Sequence, residues 1–596
     1  MTREGEATMR SKFRQAALLG LSAGLLATGP VSGQPAPEPA AVPARTAPPS
    51  DDSAFAPAPD IRLPPLPPLP PAPRLTAAEY RDGAFKAAQW AFRSEAALAL
   101  DQLAARFAGG GAAVGRLESE LQDLVRQQKA AERALTESLG RRGPEAAAQR
   151  SQLRTRFDQL GDRIAAKSAQ IEQEFPAYSE LLRPRAYGLD EIQALLRSDE
   201  ALLLIATAED ATYLFAVSRD GYDWYRSPKL ARSRLDAVVA GLRQGLAGDS
   251  NPVGFDRALA QELYEGLIVP AAPIIADKPV LMTVTSGALA TLPLNLLPAT
   301  GEGGVEWLAE RHVLATLPSV SSLVAARCLL VETARRAAGC PTRLRPGTGG
   351  APLRRAGPVL AAAGAPALIG KRVERRRGSP RIAEAAGVGL LADPDRLRAL
   401  PFLDGSLEEL QALKRRFGPK APVLMKEQAT EAAVKETAEF ETARYVVFST
   451  HGLLAGRAGI YGEPGLVFTP PPRGQEDQRD DGFLTASEVA RMRFQAEFVV
   501  LSACNTASSS GDPGGEGLSG LARAFFFAGA RSLLVSHWEV DDEATFQLMT
   551  AAFAELDRPG VSRGRAFQRA MAIVREDDRF NHPRFWAAFT LVGDPS

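Results

Sequence analysis

One histidine and one cysteine lie where nucleophilic chemistry could take place. His451 directly follows the apolar segment YVVFST (445–450), and Cys504 directly follows FVVLSA (498–503). Side chains just beyond the carboxyl ends of neighbouring parallel strands share one edge of the sheet, so both are predicted to face one cleft. A free thiol titrates at about 8.5, and an adjacent imidazole lowers that pKa or takes the proton during attack. The pair therefore predicts a thiolate nucleophile with His451 as its base.

The backbone around this pair could complete an acyl-transfer site. The N–H groups of Gly452 and Cys504 could stabilise the oxyanion of a tetrahedral intermediate. Taken alone, a cysteine at a strand end is usually a small buried apolar residue, and His-Gly is common in turns. The order of histidine then cysteine, about fifty residues apart, favours catalysis because caspases have it. The other histidines, expected to be structural, are His312, His537 and His582.

The elements that must position the pair alternate between strands and helices from about residue 200 onward. Several segments are apolar throughout, which is typical of strands covered on both faces. The strongest others are ALLLIATA (201–208), TYLFAVS (212–218), PVLMTVTS (279–286) and SLLVSHW (532–538). This alternation predicts an α/β domain with a mostly parallel central sheet over residues 183–596.

An insertion is predicted to interrupt this domain at about 334–381. The Arg-, Gly- and Pro-rich runs RRAAGCPTRLRPGTGG and KRVERRRGSPR lack the apolar periodicity of a helix or a strand. We interpret the insertion as disordered and its charges as solvated. Binding of an acidic partner, or cleavage within the run, is the alternative.

The N-terminal region has three parts. Residues 1–33 have a basic start, an apolar run and small residues before Gln34, which is the layout of a secretory signal peptide. Residues 34–75 are rich in Pro and Ala and are predicted to form a disordered, stiff linker. Residues 76–182 carry apolar residues at three- and four-residue steps, which predicts an all-α module, either a hairpin or repeat-like.

These N-terminal segments predict where the protein acts and what it meets. A signal peptide implies export to a periplasm or out of the cell, with no membrane span left after cleavage. The alternatives are an uncleaved anchor, or a misassigned start that would make the protein cytoplasmic. The helical module is predicted to bind a protein partner.

Composition argues against several other classes of site. Lys plus Arg and Asp plus Glu both total 70, so the formal net charge is zero, which argues against nucleic acid held by bulk charge. Three cysteines are too few for a disulfide framework and no His/Cys cluster indicates a metal, although a Cys328–Cys340 bridge is left open. The motif GEGLSG (515–520) resembles a dinucleotide-binding loop but lies too far beyond its strand. No organic cofactor is therefore expected.

Separated motifs, in a consistent order, resemble the CHAT domain, a caspase-like domain often attached to tetratricopeptide repeats. The motifs are FSTHGL, DDGFLTASEVA, VVLSACNTA, GEGLSGLARAFFFAGARSLLVSHWEVDDEAT and HPRFWAAFTLVGD, with AQELYEGLIVP, GALATLPLNLLP and LAERHVLATLPSVSSL upstream. The helical region resembles the segment that precedes many such domains, so the resemblance covers about residues 80–596. VTSGAL replaces a VPDGAL-like turn, and LDGSLEEL replaces LPET…EL. Both departures lie outside the dyad and are expected to alter peripheral loops.

The resemblance implies cysteine endopeptidase chemistry, because CHAT domains share a clan with caspases and separase. Separase has an acidic residue in a Trp-Asp-Val segment after the strand that follows its nucleophile, and the present chain has SHWEVDDEAT. This implies a carboxylate that binds a basic side chain of the substrate. The candidates are Glu539, Asp541 and Asp542, followed by Asp480 and Asp481. Asp541 and Asp542 could equally cap the next helix, as Thr485 or Ser487 could cap another.

The residues and the resemblance together predict an exported, caspase-like cysteine endopeptidase. Its substrates would be proteins or peptides, and its chemistry would need neither a metal nor an organic cofactor. The alternative is a catalytically silent scaffold that keeps the fold and uses its helices for assembly.

Overall fold

The computed structural model describes most of the chain beyond residue 75. The described residues are 76–92, parts of 117–138, 144–174, 185–246, 254–301, 304–329, 340, 358–367, 393–453, 464–475, 480–503 and 520–596. The predicted signal peptide (1–33), the predicted linker (34–75) and Cys504 lie outside the described residues.

Helices make up the described N-terminal residues, as predicted. Helix α1 (Ala77–Gln89) begins in the unit Met1–Arg81, where Thr76 and Glu79 cap its start reciprocally, and ends in the unit Asp82–Ser596. Helix α2 (Pro144–Glu174) begins at a proline, which the first helical position tolerates. The described residues between 117 and 138 are also helical, and Leu124 packs there against Leu160 of α2. Among the helices that the structure describes, none has both the length and the apolar composition needed to cross a bilayer.

The α/β region follows these helices. Its helices are α3 (Leu189–Gln193), α4 (Arg232–Leu246), α5 (Arg257–Leu263), α6 (Ala272–Ile275), α7 (Leu308–Arg311), α8 (Val320–Val324), α9 (Pro394–Arg398), α10 (Asp404–Phe417), α11 (Glu431–Glu436), α12 (Glu439–Thr442), α13 (Ala486–Val489), α14 (Gly520–Ala528), α15 (Asp542–Leu556), α16 (Arg563–Glu576) and α17 (Pro583–Trp586). Its strands are β1 (Glu200–Thr207), β2 (Thr212–Ser218), β3 (Tyr222–Ser227), β4 (Val280–Val284), β5 (Pro298–Gly301), β6 (Gly304–Trp307), β7 (Val313–Thr316), β8 (Leu360–Pro366), β9 (Val423–Lys426), β10 (Tyr445–Ser449), β11 (Gly452–Leu453), β12 (Gly465–Val467), β13 (Phe483–Thr485), β14 (Phe498–Ser502), β15 (Ser532–Ser536) and β16 (Phe589–Gly593).

Eleven of these strands form one central sheet in the order β3-β2-β1-β4-β7-β16-β15-β14-β10-β8-β9. Strand β4 pairs parallel with β1 and β7, and β15, β14, β10, β8 and β9 form a second parallel run. Antiparallel pairs join β1 to β2, β2 to β3 and β15 to β16. Strands β1, β10, β14 and β15 are buried almost throughout, because helices cover both faces of the sheet. The predicted fold class, a mostly parallel α/β domain preceded by helices, is confirmed.

The predicted insertion at 334–381 is wrong in its middle. Residues 360–366 form β8, every residue of which is buried between β10 and β9. The strand consists of small residues because its neighbour is close: a Cβ on Gly364 would lie 1.8 Å from the Ser449 carbonyl oxygen. An alanine-rich strand lacks the pattern of large apolar residues from which strands are predicted, and basic runs lie on both sides of it in the sequence.

A disulfide joins Cys328 to Cys340, with an S–S distance of 2.07 Å. The spacing of these two cysteines in the sequence allowed this bridge but did not predict it. The residue before it, Arg327, is buried and donates to both carboxylate oxygens of Glu200 at the start of β1, at 2.6 and 2.7 Å. Its second partner is Asp594, at 3.3 Å. A buried guanidinium is tolerated because these carboxylates compensate its charge.

Candidate active site

Two adjacent parallel strands carry the candidate dyad. Strands β10 and β14 pair in register from Tyr445 opposite Phe498 to Ser449 opposite Ser502. The two strands, predicted to belong to one sheet, are therefore direct neighbours in it. His451 is the second residue after Ser449, and Cys504 is the second residue after Ser502.

The His451 ring is held by a backbone carbonyl. Its Nε2 lies 2.8 Å from the Pro401 carbonyl oxygen. A carbonyl can only accept, so Nε2 carries the proton of the neutral ring and Nδ1 keeps its lone pair. Burial lowers the pKa of His451 below its ordinary value, although the hydrogen bond to Pro401 opposes that shift. A neutral ring with a free Nδ1 is the form in which histidine acts as a base.

Side chains at the end of β10 alternate between two environments. Phe448 stacks on Phe440, with 5.8 Å between ring centroids, and the Thr450 hydroxyl donates to the Val467 carbonyl. Ser449 and His451 instead reach the segment 401–409, which runs from Pro401 into α10. The histidine and the serine, two positions apart, therefore both contact this one segment.

That segment provides a buried carboxylate, Glu409. Its Oε2 accepts from the hydroxyls of Ser449, at 2.8 Å, and Ser502, at 3.0 Å. All three side chains are buried. Burial raises the pKa of Glu409 to about 7, the two serine hydrogen bonds act to lower it, and the nearby carboxylate of Asp542 adds to the rise.

Gly452 belongs to the short strand β11, whose residues pair antiparallel with β12. The carbonyl before it, that of His451, accepts from Val467 N–H at 3.0 Å. This pairing fixes the backbone on the carboxyl side of the histidine. A fixed N–H at residue 452 is what the predicted oxyanion site requires.

The acidic candidates after β15 occupy three different environments. Asp541 caps α15, accepting from the N–H groups of Glu543, at 3.1 Å, and Ala544, at 3.0 Å. Asp542 accepts from Gly405 N–H, while its burial raises its pKa to about 6. Glu539 is exposed on the loop after β15. The capping alternative is therefore confirmed for Asp541, and Glu539 is the candidate whose carboxylate faces solvent.

The second pair of acidic candidates, Asp480 and Asp481, lies just before β13. Asp481 is buried, and its Oδ1 accepts from Phe483 N–H at 2.9 Å. Asp480 is half-buried at the preceding position. Thr485 caps α13, as one of the two predicted caps. The Asp481 carboxylate thus supports the turn before β13.

The other three histidines have structural contacts, as predicted. His312 is buried with Nδ1 2.7 Å from the Lys278 carbonyl oxygen, and His582 caps α17 by accepting from Arg584 N–H. His537 is buried with Nε2 3.0 Å from the Thr590 hydroxyl, and burial lowers its pKa to about 3.

Sequence reasoning missed the residues that surround the dyad. The segment 403–410 (LDGSLEEL) is predicted to affect only peripheral loops, and this is wrong, because Glu409 lies in it and Pro401 lies two residues before it. A signal was present, since a serine stands two residues before the histidine in STH and two residues before the cysteine in SAC. This spacing does not by itself identify the buried carboxylate that both hydroxyls contact.

Comparisons with known proteins point to one family. The profile of the CHAT domain matches residues 257–594. Tetratricopeptide repeat protein 28 from Mus musculus is 26% identical over 376 residues, which cover 61% of this chain and 13% of that protein. The Homo sapiens protein of the same name is 24% identical over 385 residues with the same coverage. The chain thus spans about an eighth of the length of these relatives.

Solved structures with a similar arrangement include two proteases. The Arg-specific cysteine proteinase gingipain R is 11% identical, with a TM-score of 0.32, over 61% of this chain and 74% of that one. The Saccharomyces cerevisiae separase–securin complex is 11% identical, with a TM-score of 0.36, over 68% of this chain and 30% of that one.

Proposed function

Because the chain belongs to the CHAT domain family, whose profile matches residues 257–594, we propose that it is a cysteine endopeptidase with His451 as base and Cys504 as nucleophile. The observation that carries this proposal is the hydrogen bond from His451 Nε2 to the Pro401 carbonyl. It leaves Nδ1 unprotonated at the end of a strand whose register partner leads directly into Cys504.

The proposed reaction divides peptide hydrolysis into two steps. Nδ1 of His451 takes the proton of the Cys504 thiol as sulfur attacks the peptide carbonyl carbon. The imidazolium then protonates the leaving amine, the C–N bond breaks and an acyl thioester remains. Water attacks the thioester, the imidazole relays its proton to the sulfur, and a carboxylic acid and the thiol are restored. N–H groups at Gly452 and Cys504 would bind the oxyanion in both steps.

The proposed specificity is for a basic residue at the cleavage site. Support comes from Glu539, whose exposed carboxylate lies on the loop after β15, the strand next to β14. Carboxylates bind Arg and Lys through charge-assisted hydrogen bonds.

The proposed setting is outside the cytoplasm. The Cys328–Cys340 disulfide supports export, because such bonds persist mainly in oxidising compartments. The N-terminal helices are proposed to bind a protein partner. Support comes from the described residues between 117 and 174, most of whose side chains are half-exposed or exposed.

One property of the chain makes the proposal simple to test. Of its three cysteines, two are joined to each other, so Cys504 is the remaining thiol. A thiol reagent added to the full chain without reductant should therefore label one site, and Cys504→Ala should abolish the labelling. The decisive measurement is cleavage of a peptide library by wild type, Cys504→Ala and His451→Ala.

Wild type should cleave, Cys504→Ala should not, and His451→Ala should cleave about a thousandfold more slowly. The contrary outcome is a wild type that cleaves no peptide and does not react with a thiol-directed peptide probe. Together with an unchanged phenotype for Cys504→Ala, that outcome would identify a catalytically silent scaffold.

A further inference from the structure

A cluster of three buried polar side chains lies beneath the candidate dyad without belonging to it. We define the Glu409 clamp as Glu409 of α10, Ser449 of β10 and Ser502 of β14, in which one carboxylate oxygen accepts from both hydroxyls. The two serines are register partners on adjacent strands. They also directly precede Thr450–His451 and Ala503–Cys504.

The clamp can hold only at one separation of the strand ends. A carboxylate oxygen has two lone pairs, so a single atom can accept from two hydroxyls when both lie within hydrogen-bonding distance. Movement of either strand end by about 1 Å would break one of these bonds, and a buried hydroxyl without a partner costs about 1–3 kcal/mol. The clamp therefore resists sideways separation of β10 and β14.

Helix α10 is itself fixed against the sheet and α15. A Cβ on Gly405 would lie 2.7 Å from the Asp542 carbonyl oxygen, so only glycine permits this approach of the two helix starts. The Asp542 carboxylate also accepts from Gly405 N–H. One turn later in the same helix comes Glu409, and just before the helix comes the Pro401 carbonyl that orients His451.

We propose that Glu409 is a positioning residue, whose carboxylate holds Ser449 and Ser502 together and so sets the distance between His451 and Cys504. This inference rests on the proposed dyad. Only one residue separates each serine from its member of the dyad, so a change of spacing at the serines is passed on over a short length of chain. Glu409 would act through the strand ends and would not touch the substrate.

The test compares four variants of the full chain with wild type. Glu409→Leu removes the acceptor at similar volume, and Glu409→Gln keeps a carbonyl oxygen that can accept from both serines. Glu497→Leu is the matched control, because Glu497 accepts from Arg444 at 2.6 Å and joins the same two strands at their opposite ends. His451→Ala reports whether the dyad exists. The readout is the pH dependence of Cys504 alkylation by iodoacetamide, with melting temperature measured alongside.

Glu409→Leu should slow alkylation at pH 6.5 by about tenfold and move its midpoint toward the ordinary thiol value near 8.5. Glu409→Gln should recover most of the rate, and Glu497→Leu should lower the melting temperature without moving the midpoint. The clamp is refuted if the alkylation profile of Glu409→Leu equals that of wild type or of Glu497→Leu. The dyad is still supported in that case if His451→Ala shifts the profile. An unchanged profile in His451→Ala refutes both.

A Glu409→Leu chain that fails to fold would be replaced by Ser449→Ala and Ser502→Ala, each of which removes one donor. Each should shift the alkylation midpoint in the same direction by a smaller amount. Two unchanged profiles would overturn the proposal.

Discussion

The two parallel halves of the central sheet, on either side of β16, end in different residues. In the half formed by β1, β4 and β7, Thr283 and Thr316 are register partners with hydroxyls 3.5 Å apart. In the half formed by β15, β14, β10, β8 and β9, Ser449 and Ser502 are register partners in the same way. Both halves therefore place two hydroxyls side by side near the carboxyl ends of adjacent strands.

What surrounds each hydroxyl pair differs. Two residues beyond the threonines come Thr285 and Pro318, which can supply neither a base nor a thiol. Two residues beyond the serines come His451 and Cys504. The Thr283 hydroxyl lies 3.4 Å from a backbone carbonyl, that of Ala315, whereas the serines share a buried carboxylate. The same strand arrangement thus carries a candidate dyad in one half and none in the other, depending on the few residues at its ends.

The largest expected effect separates the two halves at their equivalent positions. His451→Ala should lower the rate of peptide cleavage about a thousandfold, because a positioned base contributes that much. Thr285→Ala, at the equivalent position of the other half, should leave the rate within experimental error. The measurement is kcat/KM on a peptide selected with wild type. Equal losses in both variants would mean that the two ends do not differ in function.

A second contrast concerns backbone packing at the same ends. Gly364 has φ +156° and would bring a Cβ to 1.8 Å from the Ser449 carbonyl, whereas Gly287 has φ +62° with open space around it. Gly364→Ala should cost about 3 kcal/mol or more, because both the backbone and the neighbour are strained. Gly287→Ala should cost only about 1 kcal/mol. Chemical unfolding of both variants checks this, and equal costs would contradict the close packing of β8 on β10.

The contrast between the halves also explains how far sequence could predict the structure. Apolar runs such as YVVFST and FVVLSA predicted β10 and β14, because strands covered on both faces have a distinctive composition. Their adjacency is shown by the pairing of the two strands and does not follow from composition. The alanine-rich β8 carried no such pattern. The Glu409 clamp depends on which helix packs under two strands that are far apart in sequence, and local spacing contains no information on that contact.

A rise in pH should change the stability contributed by Glu409, in one half, and by Asp594, next to the other half, in opposite directions. The folded-state pKa of Glu409, about 7, exceeds its ordinary value of 4.5, so the native chain holds a proton that the unfolded chain has lost between these pH values. Stability therefore falls as pH rises through this window, by an amount on the order of 3 kcal/mol. Asp542, with a pKa raised to about 6 beside Asp541 and Asp404, acts in the same direction.

For Asp594, burial acts to raise the pKa, but the charges of Arg327 and Arg563 outweigh it and hold the pKa below its ordinary value. Its contribution to stability is present above the unfolded pKa and is lost as pH falls. Glu409→Gln should therefore reduce the loss of stability between pH 5 and pH 7.5. Asp594→Asn should destabilise by a similar amount at both pH values, because this carboxylate is ionised throughout that window and its contribution is lost only below its ordinary value of 3.8. Urea unfolding at both pH values measures this. Parallel pH dependences for wild type and Glu409→Gln would contradict the assigned direction.

The smallest expected effect concerns substrate choice in the half that carries the candidate dyad. Glu539→Gln should lower the preference for Arg over Leu at the cleavage site about tenfold, because one charge-assisted contact is lost at an exposed position. Glu543 provides a matched control: it is also an exposed carboxylate, and it is paired with Arg579 at 2.5 Å. Glu543→Gln should leave the preference unchanged, since Glu543 lies within α15 and not on the loop after β15. If both variants lowered the preference equally, a diffuse negative field would account for selectivity, and Glu539 would have no specific contact with the substrate.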